Sequence, residues 1–580
     1  MALPRTCLPS DDDTHTGSSA SLSRIKTWLD ICSSSHPACS RADSQPPPLP
    51  TRVIAVGSKG ASKCQLVSGN KKNGYYATLS HCWGDPQKRP LLTTDRTLSC
   101  RQRGIEDEAL PKTFRHAVEV CRALGIEYIW IDSLCIIQEQ ETQEDWAKEA
   151  PRMGLVYGNS SLNISALAAA DSTRGCFKER LGQTVWPCPI LLFGKACYLS
   201  RYPTQKEEID GDPGDLEYDI LHRLTRRAWV LQEQALSRRS IIFSKNRLIW
   251  RCPTLSTNEK YPLGIPHAPK TSIDNHRLLY CIVNGIASSI PDELKIDFYA
   301  CWYRTVAEYT SRNLTYEEDR LSAVAGIAKR FGMAVNDNYH AGLWRHDMIL
   351  GLLWRASVDV TRKARSARAP SWSWASINGH VVYDHPLSTG ADARRMTFSP
   401  LVYDLDVLDP ETCEDHPYGV NSRASLSLSG VLLAVMKDLR VESGLILVEN
   451  DNRVADDSKR IFSNNFERIF SDGSGLTFFS DVWKSDRPDR APLFCLPVCV
   501  THGCFVQGSY SSDKASWAGS LKRGIDKCEG SNTLYCLVLK AVEGKQDTYS
   551  RVGLCKVGSH KIMEISRMAL FGERRSMTLV

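Results

Sequence analysis

The residue types able to do chemistry gather at a few points in the first half of the chain. The stretch Tyr128-Ile-Trp-Ile-Asp132-Ser-Leu-Cys-Ile-Ile-Gln138 opens as a short apolar run rich in β-branched and aromatic residues, entered from Gly125. Such a run reads as a strand buried on both faces, and it delivers a carboxylate where the strand should end. Ligands of open parallel sheets sit at the carboxyl ends of the strands, so Asp132 either lines a site or caps the turn that follows. Tyr75-Tyr-Ala-Thr-Leu-Ser80-His81 carries polar groups to its exit in the same way, before the Gly- and Pro-containing turn Cys82-Trp83-Gly84-Asp85-Pro86. His81 titrates in a range that suits a structural or a catalytic role. Trp146, Glu149, Met153 and Val156 or Tyr157 share one stripe if their segment is helical. A carboxylate there is paired, is desolvated, or reaches solvent from the edge of the stripe. In Arg226–Leu236, the residues Trp229, Gln232, Glu233 and Leu236 would again set polar groups beside aromatic bulk. Paired or desolvated carboxylates of this kind are commoner at working sites than on ordinary surfaces.

The elements that must position these groups follow from periodicity. Phe114, Ala117, Val118 and Cys121 fall on one helical face, with Pro111 suited to the first turn and Gly125 to the stop. Strand, helix, strand in that order is a crossover unit and predicts a parallel sheet. Ser161–Ala166 alternates as a third strand, and Ile241–Phe243 with Leu248–Trp250 forms a hairpin. Pro151 either kinks the helix around Glu149 or forces it to begin there. Upstream, residues 1–20 read as a disordered leader, Leu22, Ile25, Trp28, Leu29 and Cys32 recur at helical spacing, and Ser44–Pro50 is a stiff connector. Val53–Val56 and Lys63–Ser68 form a hairpin whose loop lacks phosphate-binding spacing. Downstream, 302–309, 321–331 and 343–354 are expected to be helical, and short alternating runs dominate from His380 onward. Trp372 and Trp374, at alternate positions, are expected to pack one face of a strand.

A length of 580 residues calls for two to four domains. With a net charge of +6 and no long basic run, nucleic acid is not an expected partner. The polar N-terminus and the absence of any run of eighteen apolar residues argue against a membrane and for the cytosol. The 21 cysteines are scattered rather than arrayed as a disulfide framework, so most are expected reduced and buried. Cys32, His36 and Cys39 lack a fourth ligand at suitable spacing, and Cys495, Cys499, His502 and Cys504 lie in a run that reads as buried strand. No metal is therefore expected.

Thr78-Leu-Ser-His-Cys-Trp-Gly84, the block from Leu110-Pro-Lys-Thr-Phe114 through Gly125-Ile-Glu-Tyr-Ile-Trp-Ile-Asp-Ser-Leu-Cys-Ile136, and Arg227-Ala-Trp-Val-Leu-Gln-Glu233 stand in that order. With them the sequence resembles the fungal heterokaryon incompatibility (HET) domain family over residues 76 to 234, with Pro151 where the family usually has alanine. The segments Ile25–Cys32, Leu314–Leu321, Gly342–Arg345 and Ala369–Ala375 look like the longer architecture of such proteins. The resemblance implies recognition of a genetically different partner after hyphal fusion, with growth arrest or programmed cell death as output. It implies other incompatibility proteins or further copies of the chain as partners. HET domains are remotely similar to TIR domains, which are flavodoxin-like, and some of those cleave NAD at the nicotinamide bond using a glutamate. On that basis Glu149 and Asp132 are the expected catalytic carboxylates, Glu149 engaging the ribose or the developing oxocarbenium charge. Ser80, His81, Trp83, Ser133, Arg227, Gln232 and Glu233 are the expected substrate-binding residues, NAD being a substrate and no cofactor being needed. A non-catalytic signalling module and an accessory of a secondary-metabolite gene cluster are the other functions the resemblance allows. The expected architecture is α/β, with a parallel flavodoxin/TIR-like core and helices on both faces, then a helical segment and a β-rich module. Its parts are a leader (1–20), an N-terminal helix and hairpin (21–75), the HET domain (76–252), a mainly helical region (253–365) and a β-rich C-terminal module (366–580).

Overall fold

Every residue of Tyr76–Ser80 and of Leu162–Ser165 is buried, the environment of strands covered on both faces. The computed structural model describes residues 13–39, 45–85, 90–138, 143–179, 188–192, 195–199, 223–245, 247–259, 275–285, 292–357, 362–363, 368–384, 397–408, 424–438, 444–447, 476–481, 493–502, 533–557, 562, 565–566, 568–570 and 572–580. It divides into two units, one of residues 1–288, 312–314 and 322–334, the other of residues 289–311, 315–321 and 335–580. The helical stretch expected over 253–365 is thus shared between them.

The first unit runs α1 (Ser19–Ser35), β1 (Arg52–Ala55), β2 (Lys63–Ser68), β3 (Tyr76–Ser80), α2 (Asp95–Arg103), β4 (Ile105–Glu106), α3 (Lys112–Leu124), β5 (Tyr128–Trp130) and α4 (Asp132–Cys135). It continues with α5 (Glu144–Glu149), α6 (Met153–Asn159), β6 (Leu162–Ser165), a separate hairpin of β7 (Cys188–Leu192) and β8 (Lys195–Leu199), α7 (Ala228–Leu236), β9 (Ser240–Phe243), β10 (Leu248–Arg251), β11 (Ser256–Asn258) and α8 (Asn275–Val283). One nine-stranded sheet joins the others in the order β11-β10-β9-β6-β3-β5-β1-β2-β4. Its four inner strands, β5, β3, β6 and β9, are parallel, as the crossover pattern predicts. The flanking strands are antiparallel, so the sheet is mixed rather than parallel throughout. The reason is local: β1–β2 and β9–β10 are hairpins, and a short hairpin can add only antiparallel strands.

Helix α3 buries the predicted face of Phe114, Ala117, Val118 and Cys121. Gly125 ends it in the left-handed conformation (φ 73°), where a side chain is disfavoured, and its N–H meets the carbonyls of Arg122 and Cys121. Helix α1 packs on α3, and α7 packs on α6 and α8. The chain is anchored earlier than expected: Asp13 and Thr16 are buried, and Asp13 pairs with the buried Arg24 of α1 at 2.9 Å. Residues 1–12 of the expected leader lie outside the described residues.

In the second unit, helix Asp292–Ser311 packs on strand Val381–Tyr383, and ten strands form a largely antiparallel sheet, which is the expected β-rich C-terminal region. Its core includes Leu401, Val435, Cys495, Cys536, Val538 and Cys555. Cys495 and Cys499 are buried in strand Leu493–His502, as read from sequence, whereas Cys504 lies outside the described residues. The helix expected over 343–354 is only the turn Met348–Gly351 between short strands. Trp372 and Trp374 are fully buried, but on a turn and a 3-10 turn rather than a strand, with Trp374 Nε1 donating to the Gly342 carbonyl at 2.9 Å. Among the described residues no helix is long and apolar enough to cross a membrane.

Candidate functional site

The exits of β3, β5 and β6 bring together polar side chains that ordinary strand interiors would exclude. Asp132 follows β5 by two residues and opens the short helix α4. Its Oδ2 accepts from Trp83 Nε1 at 2.8 Å and its Oδ1 from the Ser133 N–H at 2.7 Å. It therefore braces the turn that follows β5 and also holds the segment that follows β3. His81, just past β3, is 2% exposed and packs edge-on against Phe114 at 4.9 Å. Burial pulls its pKa down to about 4, with Asp132 opposing and Arg227 reinforcing the effect. The ring is neutral at pH 7, so its 3.7 Å approach to Asp132 is proximity rather than an ion pair.

Arg227 precedes α7 and donates through Nη1 to the His81 carbonyl, which draws the start of α7 over the exit of β3. One turn and a half into α7, Glu233 is 3% exposed. Burial lifts its carboxyl to about 7, against the favourable charge of Arg227 and the hydroxyls of Ser80 and Tyr157. Those hydroxyls face the carboxylate without closing a full hydrogen bond to Oε2, which has no partner among the described residues. Ser80 Oγ and Thr78 Oγ1 instead donate to Asn163 Oδ1 at 3.2 and 3.1 Å.

The same condition recurs around this point. Both ring nitrogens of His81, Ser133 Oγ, Asn163 Nδ2 and Ser165 Oγ are buried without a hydrogen-bond partner among the described residues. Leaving buried polar groups unmade is costly, of order 1–3 kcal/mol each, and sites that tolerate it are commonly working sites. Beside them, Cys82, Leu167, Leu224, Val230, Ile242 and Ile249 form an apolar cluster. The nearby thiols are not nucleophiles: burial pushes Cys82 to about 11 and Cys135 to about 12.

Of the residues singled out from sequence, Ser80, His81, Trp83, Asp132, Ser133, Arg227 and Glu233 belong to this group. Glu149 stands at one end of the same sheet edge. Its Oε1 accepts from Thr51 at 2.7 Å and lies 3.6 Å from Arg152 Nη1. Thr51 enters β1, which runs antiparallel two strands away from β3, so its start lies where the parallel strands exit. Pro151 separates α5 from α6 by a 3-10 turn over Ala150–Arg152, and α5 stops at Glu149, because the ring cannot donate and crowds the Ala147 carbonyl. Gln232 turns elsewhere: its Oε1 accepts from the N–H of Gly326, in helix Ser322–Val335, at 2.7 Å. Tyr157, placed from sequence only on the helical stripe, and Asn163, placed only in an alternating strand, are part of the group; β6 is buried on both faces, so the polar positions of that alternation point inward as well.

This part of the first unit is thus an α/β sheet with a carboxylate and an imidazole at the exits of its parallel strands and a guanidinium laid over them from the start of α7. Residues 76–233 match the family model for Heterokaryon incompatibility protein (HET), so this part of the first unit is a HET domain. No curated protein and no solved structure matches the chain.

Proposed function

We propose that this HET domain hydrolyses a nicotinamide nucleotide at the bond between ribose and nicotinamide, as a step in a fungal nonself response that ends in growth arrest or cell death. The observation that carries the reading is the buried group of Asp132, Glu233 and unpartnered polar atoms at the exits of β3 and β6. Taking β3 as the first parallel strand, the order β5-β3-β6-β9 is 2-1-3-4, the order of flavodoxin-like sheets. The connections reverse direction between β3 and β6, and that crevice is where ligands of such sheets bind. His81 and Ser165 stand at its two lips.

The reaction breaks the C–N glycosidic bond, releases neutral nicotinamide and adds water to the ribosyl carbon. Positive charge develops on the sugar, and a hydrogen-bonded carboxylate such as Asp132 stabilises it. The attacking water must lose a proton, and a carboxyl group that ionises near pH 7 is suited to take it. Glu233 has that property. Arg227 and the neutral His81 supply donors for the polar parts of the nucleotide. Glu149, expected from the resemblance to engage the ribose or the oxocarbenium charge, is held by Thr51 and Arg152 and takes no part in this step.

Incubation of the purified full chain with NAD, with nicotinamide followed by chromatography, tests this. Release that is abolished in Glu233→Gln and Asp132→Asn and retained in Glu149→Gln supports the assignment. Absence of release, or release undiminished in both of the first two variants, overturns it and leaves the polar group as the internal frame of a non-catalytic signalling module.

A further inference from the structure

The three metal-ligand types that sequence spacing left one short acquire their fourth from a distant strand end. Cys32 lies in the last full turn of α1, His36 is the residue at which that helix ends, and Cys39 closes the 3-10 turn Pro37–Cys39. Cys252 follows β10 directly. One ligand atom from each of Cys32, His36, Cys39 and Cys252 lies within 4.8 Å of all the others. The Cys252 Sγ to His36 Nδ1 distance is 3.5 Å. Tetrahedral zinc with thiolate and imidazole bonds of about 2.3 and 2.0 Å needs ligand-to-ligand edges of about 3.5–3.8 Å. The arrangement is thus already close to that figure and reaches it by small side-chain rotations.

The surroundings favour thiolates rather than a buried cluster of neutral thiols. Arg239 Nε approaches Cys32 Sγ at 3.2 Å while its Nη2 donates to the Cys39 carbonyl at 2.9 Å. The Leu255 N–H points at Cys252 Sγ at 3.2 Å, and Thr254 Oγ1 lies 3.4 Å from Cys39 Sγ. Three thiolates and a neutral imidazole around a dication carry one net negative charge, and these donors and the Arg239 guanidinium offset it, which is the role of outer partners in metal sites. A second close set of thiols among the described residues, Cys495, Cys536 and Cys555, sits in an apolar core of the second unit, so clustering of cysteine alone does not produce such surroundings.

We propose that Cys32, His36, Cys39 and Cys252 form a structural zinc site that fastens the end of α1 to the β10 edge of the sheet. Four protein ligands leave no open position, which makes the site structural rather than catalytic. The junction is also tied by Arg24 of α1, which reaches Glu259 at 2.5 Å, and by Glu259 Oε2, which accepts from the Leu248 N–H at 2.8 Å. The metal would thereby hold an N-terminal helix, outside the matched family segment, against the sheet that presents the polar group.

Full-length protein purified without chelator is expected to carry one zinc per chain by elemental mass spectrometry, and to fall to near zero in His36→Ala and in Cys252→Ser. Cobalt(II) loaded into the wild-type chain is the second measurement, one that does not depend on the variants folding. Tetrahedral d–d bands with a thiolate charge-transfer band are expected, and Cys252→His should keep the tetrahedral bands while weakening the charge-transfer band. Cys121→Ser, which alters a buried thiol remote from the site in sequence, should retain the full metal content. Metal-free protein that yields no tetrahedral cobalt spectrum overturns the site, as does a disulfide between two of the three cysteines found by peptide mapping under native conditions.

Discussion

Replacing Glu233 with glutamine leaves a neutral copy of the protonated acid, and so separates what the two states of this carboxyl group do. Burial lifts its pKa from 4.5 to about 7, with Arg227 opposing. Between those values the folded chain holds a proton that the unfolded chain has released. Fewer protons bound in the unfolded state means that stability falls as pH rises; the contribution is fully present below pH 4.5 and is lost as pH passes through about 7. At about 1.4 kcal/mol per pH unit, the displacement is worth about 3 kcal/mol. Glu233→Gln has no such loss. Relative to the wild type it should gain about 3 kcal/mol on going from about pH 4.5 to about pH 8. Catalysis moves in the opposite sense: nicotinamide release by the wild type rises through about pH 7 as the base ionises, and the variant is inactive throughout. Urea unfolding of both proteins across that window, with nicotinamide release measured in the same buffers, checks both trends. A stability difference that stays constant with pH would refute the desolvated carboxyl group and the base assigned to it.

Trp83→Phe removes the indole N–H from Asp132 Oδ2 and should lower kcat by one to two orders of magnitude, about 1.5–3 kcal/mol for a hydrogen bond to a charged group, with a smaller change in KM; steady-state nicotinamide release checks it. Gly326→Ala would set a Cβ 2.6 Å from Gln232 Oε1 and 2.9 Å from the Gly154 Cα, and should destabilise the first unit by about 1–3 kcal/mol in urea unfolding. Because one of those obstacles is backbone, adding Gln232→Ala should not restore the loss. Arg24→Met takes away the guanidinium shared by the buried carboxylates of Asp13 and Glu259, and should cost about 3–5 kcal/mol in the same assay.

What the sequence carried and what it withheld divide along a physical line. Strand β5 was legible because burial on both faces forces an apolar run, β6 because its residues alternate, β3 because a Gly- and Pro-containing turn bounds it, and helix α3 because Pro111 and Gly125 mark its ends by their backbone limits. Asp132 and His81 then fell at strand exits as a matter of counting. Periodicity also put Glu149 and Glu233 on apolar helical faces, and both are buried. It could not say which of them meets Arg227 and Asp132, since that depends on β3 lying between β5 and β6 while β1 lies outside β5, and strand order is a property of the whole sheet. Gln232 and Glu233 show the same limit at shorter range. Successive helical residues point about 100° apart, so only one of the two can face the exit of β3, and the packing of helix Ser322–Val335 takes the other. Cys252 is the clearest case: spacing rules search for ligands within a short window, whereas the end of α1 and the end of β10 become neighbours only when the sheet has formed. Local chemistry is written in order along the chain, but a site assembled from several strand ends is decided by pairings that no local pattern records.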